Sequence, residues 1–503
     1  MQSKRFNWGL WVFACAVACG DVCAGHVELQ VIASEDQRAP NVPGQPSARF
    51  SIIYPPALNE AGQLAFYAIL SHASISDDKA NAIWGGTPDN LRPVIREGDS
   101  APGTTWRFQD FANLPLLSDG GHILFNADLE NAPSERDEGV WLAGPNGVEL
   151  LAQTGVSTGG TPWALESLVG IMVNGDYAVG DGGHAAFKGV LSNVANSLWF
   201  GRPGQMAVVA YNDMLLPAGR GFSSGSRVAS LSDLGGPAIS VDGKLVFQAT
   251  ISAESGSRDD LIIIADGNGL QLVASEGATP PGLPGDEFRS FRDPAINNVG
   301  RVAFEAALKD FDESLWVGTP GNLQMLVRQG DPAPVGIPGA YFVGADTFSE
   351  IRLNDAGELA FIGQFFYTGI PSNNNTGLFV AGKEGVRLVA LEAQVGSIAS
   401  YSLNNAGEVA FVTLGDRVFA TDERGTLNLV RSPGPAGDDH IFHSGSPDDP
   451  EYSSPWNSRF QLAFATEFAS SNRIYLATVS VPEASTFALA LIAAGIAACG
   501  RRH

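Results

Sequence analysis

An eight-residue phrase, Asn-x-x-Gly-x-x-Ala-Phe, recurs along almost the whole chain and limits its fold more than any other feature. Strong copies occupy residues 59–66, 297–304, 354–361 and 404–411; they open on Asn59, Asn297, Asn354 and Asn404, turn on Gly62, Gly300, Gly357 and Gly407, and end on Phe66, Phe304, Phe361 and Phe411. Weaker copies turn on Gly121, Gly183 and Gly243 and end on Phe125, Phe187 and Phe247, and a last one runs from Asn457 to Phe464. Successive terminal Phe residues are 59, 62, 60, 57, 57, 50 and 53 residues apart. A chain of 503 residues would ordinarily divide into about two to four domains, but this periodicity makes it one array of eight units.

Asn and Gly both tolerate positive φ, so the phrase predicts a tight turn that feeds a strand. In that strand Leu64, Phe66 and Ala68 face one side and Ala65 and Tyr67 the other, and neither side is plainly polar. Such a strand is covered on both faces, as between stacked sheets. A second apolar strand follows, carrying Trp84, Trp141, Trp199, Trp316, Phe379, Phe419 and Tyr475, which are expected to be packing anchors and not a sugar-stacking row. A third strand, such as residues 270–277 or 323–330, ends at a Pro-Gly loop, and a vaguer fourth surrounds Phe50, Phe108, Phe288 or Phe342. The 59 Gly and 30 Pro fit this density of turns.

Four strands per unit without helical periodicity indicate a β-propeller or a β-solenoid. The two ends of the array separate these folds. The eighth unit stops after its second strand, at residues 473–479, and the missing third strand stands at residues 27–36. One end can complete the other only if first and last units are neighbours, as in a ring. The expectation is therefore an all-β chain forming a single eight-bladed β-propeller of four-stranded blades over residues 25–480, the last blade completed by the N-terminal strand. Seven or nine blades, or a solenoid, are the alternatives.

Both termini read as addresses. Lys4 and Arg5, the apolar run from residue 6 to 20 and the small residues around Val22-Cys23-Ala24 form a secretory signal peptide over residues 1–24, with cleavage expected after Ala24. Cys19, after Ala16-Val17-Ala18, offers a lipoprotein alternative that lacks the usual Leu. Residues 481–503 carry Val481-Pro482-Glu483-Ala484-Ser485-Thr486, an apolar run of 14 residues and the basic Arg501-Arg502-His503. That order resembles the PEP-CTERM sorting signal and departs from it at Ala484, where a second Pro is usual. The resemblance implies recognition by an exosortase-like membrane enzyme and delivery to the surface or exterior of a Gram-negative-type bacterium. The apolar run is shorter than the ~20 residues that span a bilayer comfortably, so it reads as a temporary membrane helix, with a permanent anchor as the alternative. The repeats, in turn, resemble a family of exported proteins with tandem NxxGxxAF repeats and variable C-terminal anchors, which implies no established reaction.

A net charge of −24 disfavours nucleic acid and anionic membrane surfaces as partners. All four cysteines, Cys15, Cys19, Cys23 and Cys499, lie in the two address segments and say nothing of redox chemistry. Among the seven His residues, His122 and His184 hold equivalent turn-end places, and His440 and His443, after Asp438 and Asp439, have metal-like spacing. On a strand, however, positions i and i+3 face opposite sides. Gly221-Phe222-Ser223-Ser224-Gly225 matches a nucleophile elbow but lacks the required strand and helix around it. Gly98-Asp99 and Gly330-Asp331 read as solvated turns and not as calcium loops. No catalytic, metal or cofactor site is therefore assigned. The expected function is a non-enzymatic surface or matrix scaffold associated with exopolysaccharide; the alternative is an exported polysaccharide lyase or hydrolase with acid/base groups at the propeller mouth.

Overall fold

The computed structural model describes residues 26–71, 80–111, 114–157, 163–168, 176–192, 194–231, 236–252, 258–343, 348–367, 375–414, 417–421, 425, 427–431, 439–441, 457–468 and 472–480. Both address segments, residues 1–24 and 481–503, lie outside them. Eight antiparallel sheets surround one axis as an eight-bladed β-propeller. Seven blades are continuous in sequence, at 49–96, 107–153, 165–211, 227–275, 288–328, 341–391 and 398–431. The eighth combines Asp439–Ile441, Gln461–Phe468 and Arg473–Ser480 with the N-terminal strand His26–Ser34.

In every blade the phrase strand is second from the axis, which explains why it is apolar on both faces. Leu64–Ser71, for example, pairs inward with Arg49–Ile53 and Ala57–Leu58 and outward with Asn81–Gly86. The terminal Phe of each phrase stands directly across from the second-strand anchor. Phe66 opposes Trp84, Phe125 Trp141, Phe187 Trp199, Phe304 Trp316, Phe361 Phe379, Phe411 Phe419 and Phe464 Tyr475, with Ile263 as the aliphatic partner of Phe247. Six of these ring pairs stack near-parallel, with centroids 6.2 Å apart for Phe66–Trp84 and 5.7 Å for Phe187–Trp199. In four blades the vaguer fourth strand adds a ring edge-on, as Phe50 does to Trp84 at 4.9 Å and Phe288 to Trp316 at 5.1 Å. Trp84, Trp141, Trp199 and Trp316 are fully buried. They are the packing anchors expected of them, and truncating such a ring to Ala typically costs ~3–5 kcal/mol.

A bulge not foreseen from the sequence recurs at the anchor. The outermost strand inserts one residue opposite the aromatic, shifting register at Ile83/Trp84, Val140/Trp141, Leu198/Trp199, Leu315/Trp316, Leu378/Phe379 and Val418/Phe419. The N-terminal strand repeats this bulge, between Val31 and Ala33 across from Tyr475 and Ile474. Its pairing runs from His26 opposite Ser480 to Ser34 opposite Arg473. The strand is thus a true outermost strand of blade 8, separated by the whole chain from the strands it completes.

Six of the outermost strands lead to the next blade through a loop whose left-handed residue donates its N–H to the incoming inner strand, whereas the one ending at Leu391 leads into the helical turn Glu392–Val395. Gly98 bonds Phe108 O at 2.8 Å, Gly330 bonds Phe342 O at 2.9 Å and Asp36, after the N-terminal strand, bonds Phe50 O at 2.8 Å. Asp99 and Asp331 accept the backbone N–H of Arg96 and Arg328 at 2.9 and 2.8 Å, so these carboxylates close turns. Deleting residues 26–34 is expected to expose the edge of blade 8. In native-state hydrogen exchange the amides of Gln461–Phe468 and Arg473–Ser480 should lose protection while those of Val302–Leu308, across the ring, keep theirs. Loss confined to residues 49–53 would contradict closure.

Candidate functional site

Strands alternate direction within a blade, so all eight phrase turns lie at one end of the ring, around the axis. Asn59 organises its own turn: its Oδ1 accepts the N–H groups of Ala61 and Gln63 at 3.1 and 2.8 Å. Its Nδ2 donates to the next blade, to Ser118 O at 3.0 Å. The same bond runs from Asn297 to Asn354 O at 2.9 Å, from Asn354 to Asn404 O at 3.1 Å and from Asn404 to Asn457 O at 3.1 Å. Asn457 completes the circle by donating to Asn59 O at 3.0 Å across the chain termini. All five carboxamides are buried.

This corrects the conformational role expected of Asn. No phrase Asn has positive φ; the left-handed residue is the fourth of each turn, as in Gly62 and Gly357, with φ 77° and 81°. In blade 8 Phe460 takes that place at φ 59°, a conformation that costs a bulky residue ~1–3 kcal/mol. Asn stands first because a short carboxamide accepts from its own turn and donates to its neighbour at once. Ser118, Gly180 and Ser240 replace it in blades 2, 3 and 4.

The second residue of each turn builds a further belt that sequence reasoning missed. Asp119 Oδ1 accepts Glu60 N–H at 2.8 Å, Asp181 accepts Gly120 at 3.2 Å, Asn298 accepts Val241 at 3.1 Å, Asp355 accepts Asn298 at 2.8 Å, Asn405 accepts Asp355 at 2.9 Å and Glu60 accepts Ser458 at 2.8 Å. A readable signal existed: six of the eight copies carry Asp, Asn or Glu at this position, namely Glu60, Asp119, Asp181, Asn298, Asp355 and Asn405. Glu60, Asp119, Asn298, Asp355 and Asn405 rim an axial pocket of about 230 Å³, together with Leu58, Ile296, Leu353 and Leu403, which end their innermost strands. Although solvent reaches Asp119, the crowding of neighbouring turns pushes its carboxyl up to about 6; the Glu60 N–H opposes this, and the charges of Asp181, Glu60 and Asp355 add to it. The site is an acceptor-rich ring whose accessible lining is almost wholly polar.

Other candidates fall elsewhere. His122 and His184 occupy the fifth position of their turns, facing the next blade: a Cβ on Gly183 would lie 3.0 Å from His122 Nε2. Burial lowers both imidazoles below their ordinary value. His440 lies on the inner strand Asp439–Ile441, while Asp438 and His443 lie outside the described residues. Gly221–Gly225 is a loop between Ala207–Tyr211 and Arg227–Leu231, with no helix behind it, and Phe222 is buried beneath it. A second acidic group, Asp110, Asp128 and Glu138, forms one row across three strands of blade 2. Burial, then Glu138, Asp110 and Asp137, raise Asp128 to about 6. Among the described residues no group of three His, Cys, Asp or Glu side chains is arranged to hold a metal, and no helix is long and apolar enough to cross a membrane.

A raised carboxyl favours the folded state when protonated, so the contribution of Asp119 to stability is greatest below the ordinary carboxylate value and is lost as pH rises through about 6. Carboxyl NMR should find Asp119 titrating near 6, and Asp119→Asn should remove that loss; titration at the ordinary 3.8 would contradict the crowding described.

No curated protein matches the chain. Solved structures similar to it include the β-propeller domain of the Trilobed protease from Pyrococcus furiosus, which has an open velcro topology. That domain is 11% identical with a TM-score of 0.39, over 76% of this chain and 99% of that one. The Dos1 propeller is 9% identical with a TM-score of 0.39, over 84% and 90% respectively. A gluconolactonase from Xanthomonas campestris is 14% identical with a TM-score of 0.28, over 63% and 89%. The model of DUF7453, a family of unknown function, matches residues 23–488, and the chain belongs to that family.

Proposed function

We propose that the protein is an exported, non-enzymatic binding scaffold of the cell surface or extracellular matrix, whose ligand is an exopolysaccharide engaged at the axial pocket. The observation that carries this reading is the engagement of the rim. Asp119, Asn298, Asp355 and Asn405 each spend one oxygen on a backbone N–H of the preceding blade, which fixes them as a rigid ring of acceptors. Rigid acceptors lining a polar pocket suit a ligand that offers several hydroxyl donors. At about 230 Å³ the pocket is smaller than the ~300 Å³ at which drug-sized sites begin, which suits one sugar ring of a polymer. The signal-peptide order at residues 1–24 and the PEP-CTERM-like segment at 481–503 support export and exosortase-like processing.

A second reading, an exported polysaccharide lyase or hydrolase, is favoured by one observation: Asp119 titrates near the pH at which a general acid or base is most effective. One experiment separates the two. The native product is isolated with its mass measured, then spotted on a broad glycan panel beside Asp355→Ala. We expect a mass that begins after Ala24, retention of a polymer without cleavage, and at least about tenfold weaker retention by the variant, on the order of 1.4 kcal/mol. Retention of nothing would overturn the scaffold reading, and shortening of the polymer, abolished by Asp119→Asn, would replace it with the enzyme.

A further inference from the structure

The two belts that join the phrase turns are not continuous, and their gaps coincide at one place. The carboxamide belt has no donor leaving Ser118, Gly180 or Ser240, and so is absent between blades 2 and 3, 3 and 4, and 4 and 5. The acceptor belt still joins blades 2 and 3 through Asp181 and blades 4 and 5 through Asn298. Between blades 3 and 4 the acceptor position is Val241, an exposed apolar residue that can accept nothing. Among the described residues this is the one boundary at which both belts fail.

His184 fills it. Its ring stacks on Phe200 of blade 3, with centroids 5.6 Å apart at 21°, and lies flat over the turn of blade 4, where a Cβ on Gly243 would stand 2.3 Å from Cε1. Arg202 Nη2 lies 3.5 Å from His184 Nδ1. A guanidinium has no acceptor, so this contact needs Nδ1 to carry a lone pair, which means a neutral ring. We propose that the boundary between blades 3 and 4 is an acid-sensitive seam of the ring, latched by neutral His184 and released when that imidazole takes up a proton.

The charged groups around the latch set its sign. Arg202 opposes protonation and Asp242 favours it, but Asp242 is already held by Lys244 and Ser240. Asp181, in the same turn as His184, faces His122, and its carboxylate accepts the backbone N–H of Gly120 of blade 2. Burial, then Arg202, holds His184 below its ordinary value. A histidine lowered in the folded state stabilises the fold above the ordinary imidazole value and loses that contribution as pH falls below about 6.5. Acidification therefore places a second cation beside Arg202 at the boundary that neither belt bonds, and the turns separate there before the ring unfolds elsewhere.

The test is amide exchange by mass spectrometry on the full chain at pH about 7.5 and about 5.5, corrected for intrinsic exchange. We expect acid to raise exchange by about tenfold in the turns at residues 180–185 and 240–245, and by less than about twofold at 297–302 and 354–359, which the carboxamide belt secures. His184→Gln, an uncharged acceptor at either pH, should abolish the selective change, and His122→Gln should leave it in place. A uniform change, no change, or a wild-type response in His184→Gln overturns the proposal. Should His184→Gln not fold, NMR of Arg202→Gln decides: the His184 Cε1 proton should titrate higher than in the wild type, and unchanged titration overturns the latch.

Discussion

At five of the eight blade boundaries a buried carboxamide reaches from one turn to the carbonyl of the next, and on these directional bonds the geometry of the ring depends. Each core cluster lies between two blades, where the phrase Phe and anchor of one meet the aliphatic face of its neighbour. Such blades pack on their neighbours by apolar contact, which is non-directional and fixes neither their number nor their angle. Directional bonds at the narrow end do so. Asn297, Asn354, Asn404, Asn457 and Asn59 are spaced so that each donor meets the next turn, and the bond from Asn457 to Asn59 makes the last blade the neighbour of the first. The N-terminal strand secures the same junction from outside, with a bulge matching those of its seven counterparts.

Much of this architecture was legible because a repeat states each structural requirement several times. The spacing of Phe66 to Phe464 gave the units, the apolar character of both strand faces marked a strand covered by stacked sheets, and a strand missing after residue 479 but present at 27–36 gave the ring. What escaped was whatever acts between units. Asn59 was read as a turn former because its bond to Ser118 O leaves the local sequence, 59 residues away. Glu60, Asp119 and Asp355 were given no role, since no single copy reveals that five blades bring these positions to one axis. The bulge opposite the anchors leaves no residue signature, because Val94, Ile32 and their equivalents are apolar like the rest of their strands.

The same logic locates what is specific to this molecule. Positions filled alike in every copy serve the ring, and departures from the pattern show where it does something else. Three consecutive departures, Ser118, Gly180 and Ser240, fall in one arc, where His122, His184 and Lys244 take the fifth turn position and Val241 breaks the acceptor belt. The opposite arc, with Glu358 and Glu408 bonded to Asn354 and Asn404, is continuous. One arc of the turn ring is therefore fixed by amide and carboxylate bonds, and the other carries His122 and His184, whose imidazoles burial holds below their ordinary value. On the fixed side the pocket is lined by Asn298, Asp355 and Asn405.

The most direct measurement of ring closure is equilibrium unfolding of Asn457→Ala. This residue is 1% exposed and its carboxamide spans the termini at 3.0 Å. Removing it leaves Asn59 O without its donor and should lower the unfolding free energy by ~1–3 kcal/mol. Hydrogen exchange should then rise in residues 26–34 and 461–468. A change within about 0.5 kcal/mol, with exchange in those strands unaltered, would contradict the view that the carboxamide belt holds the ring together.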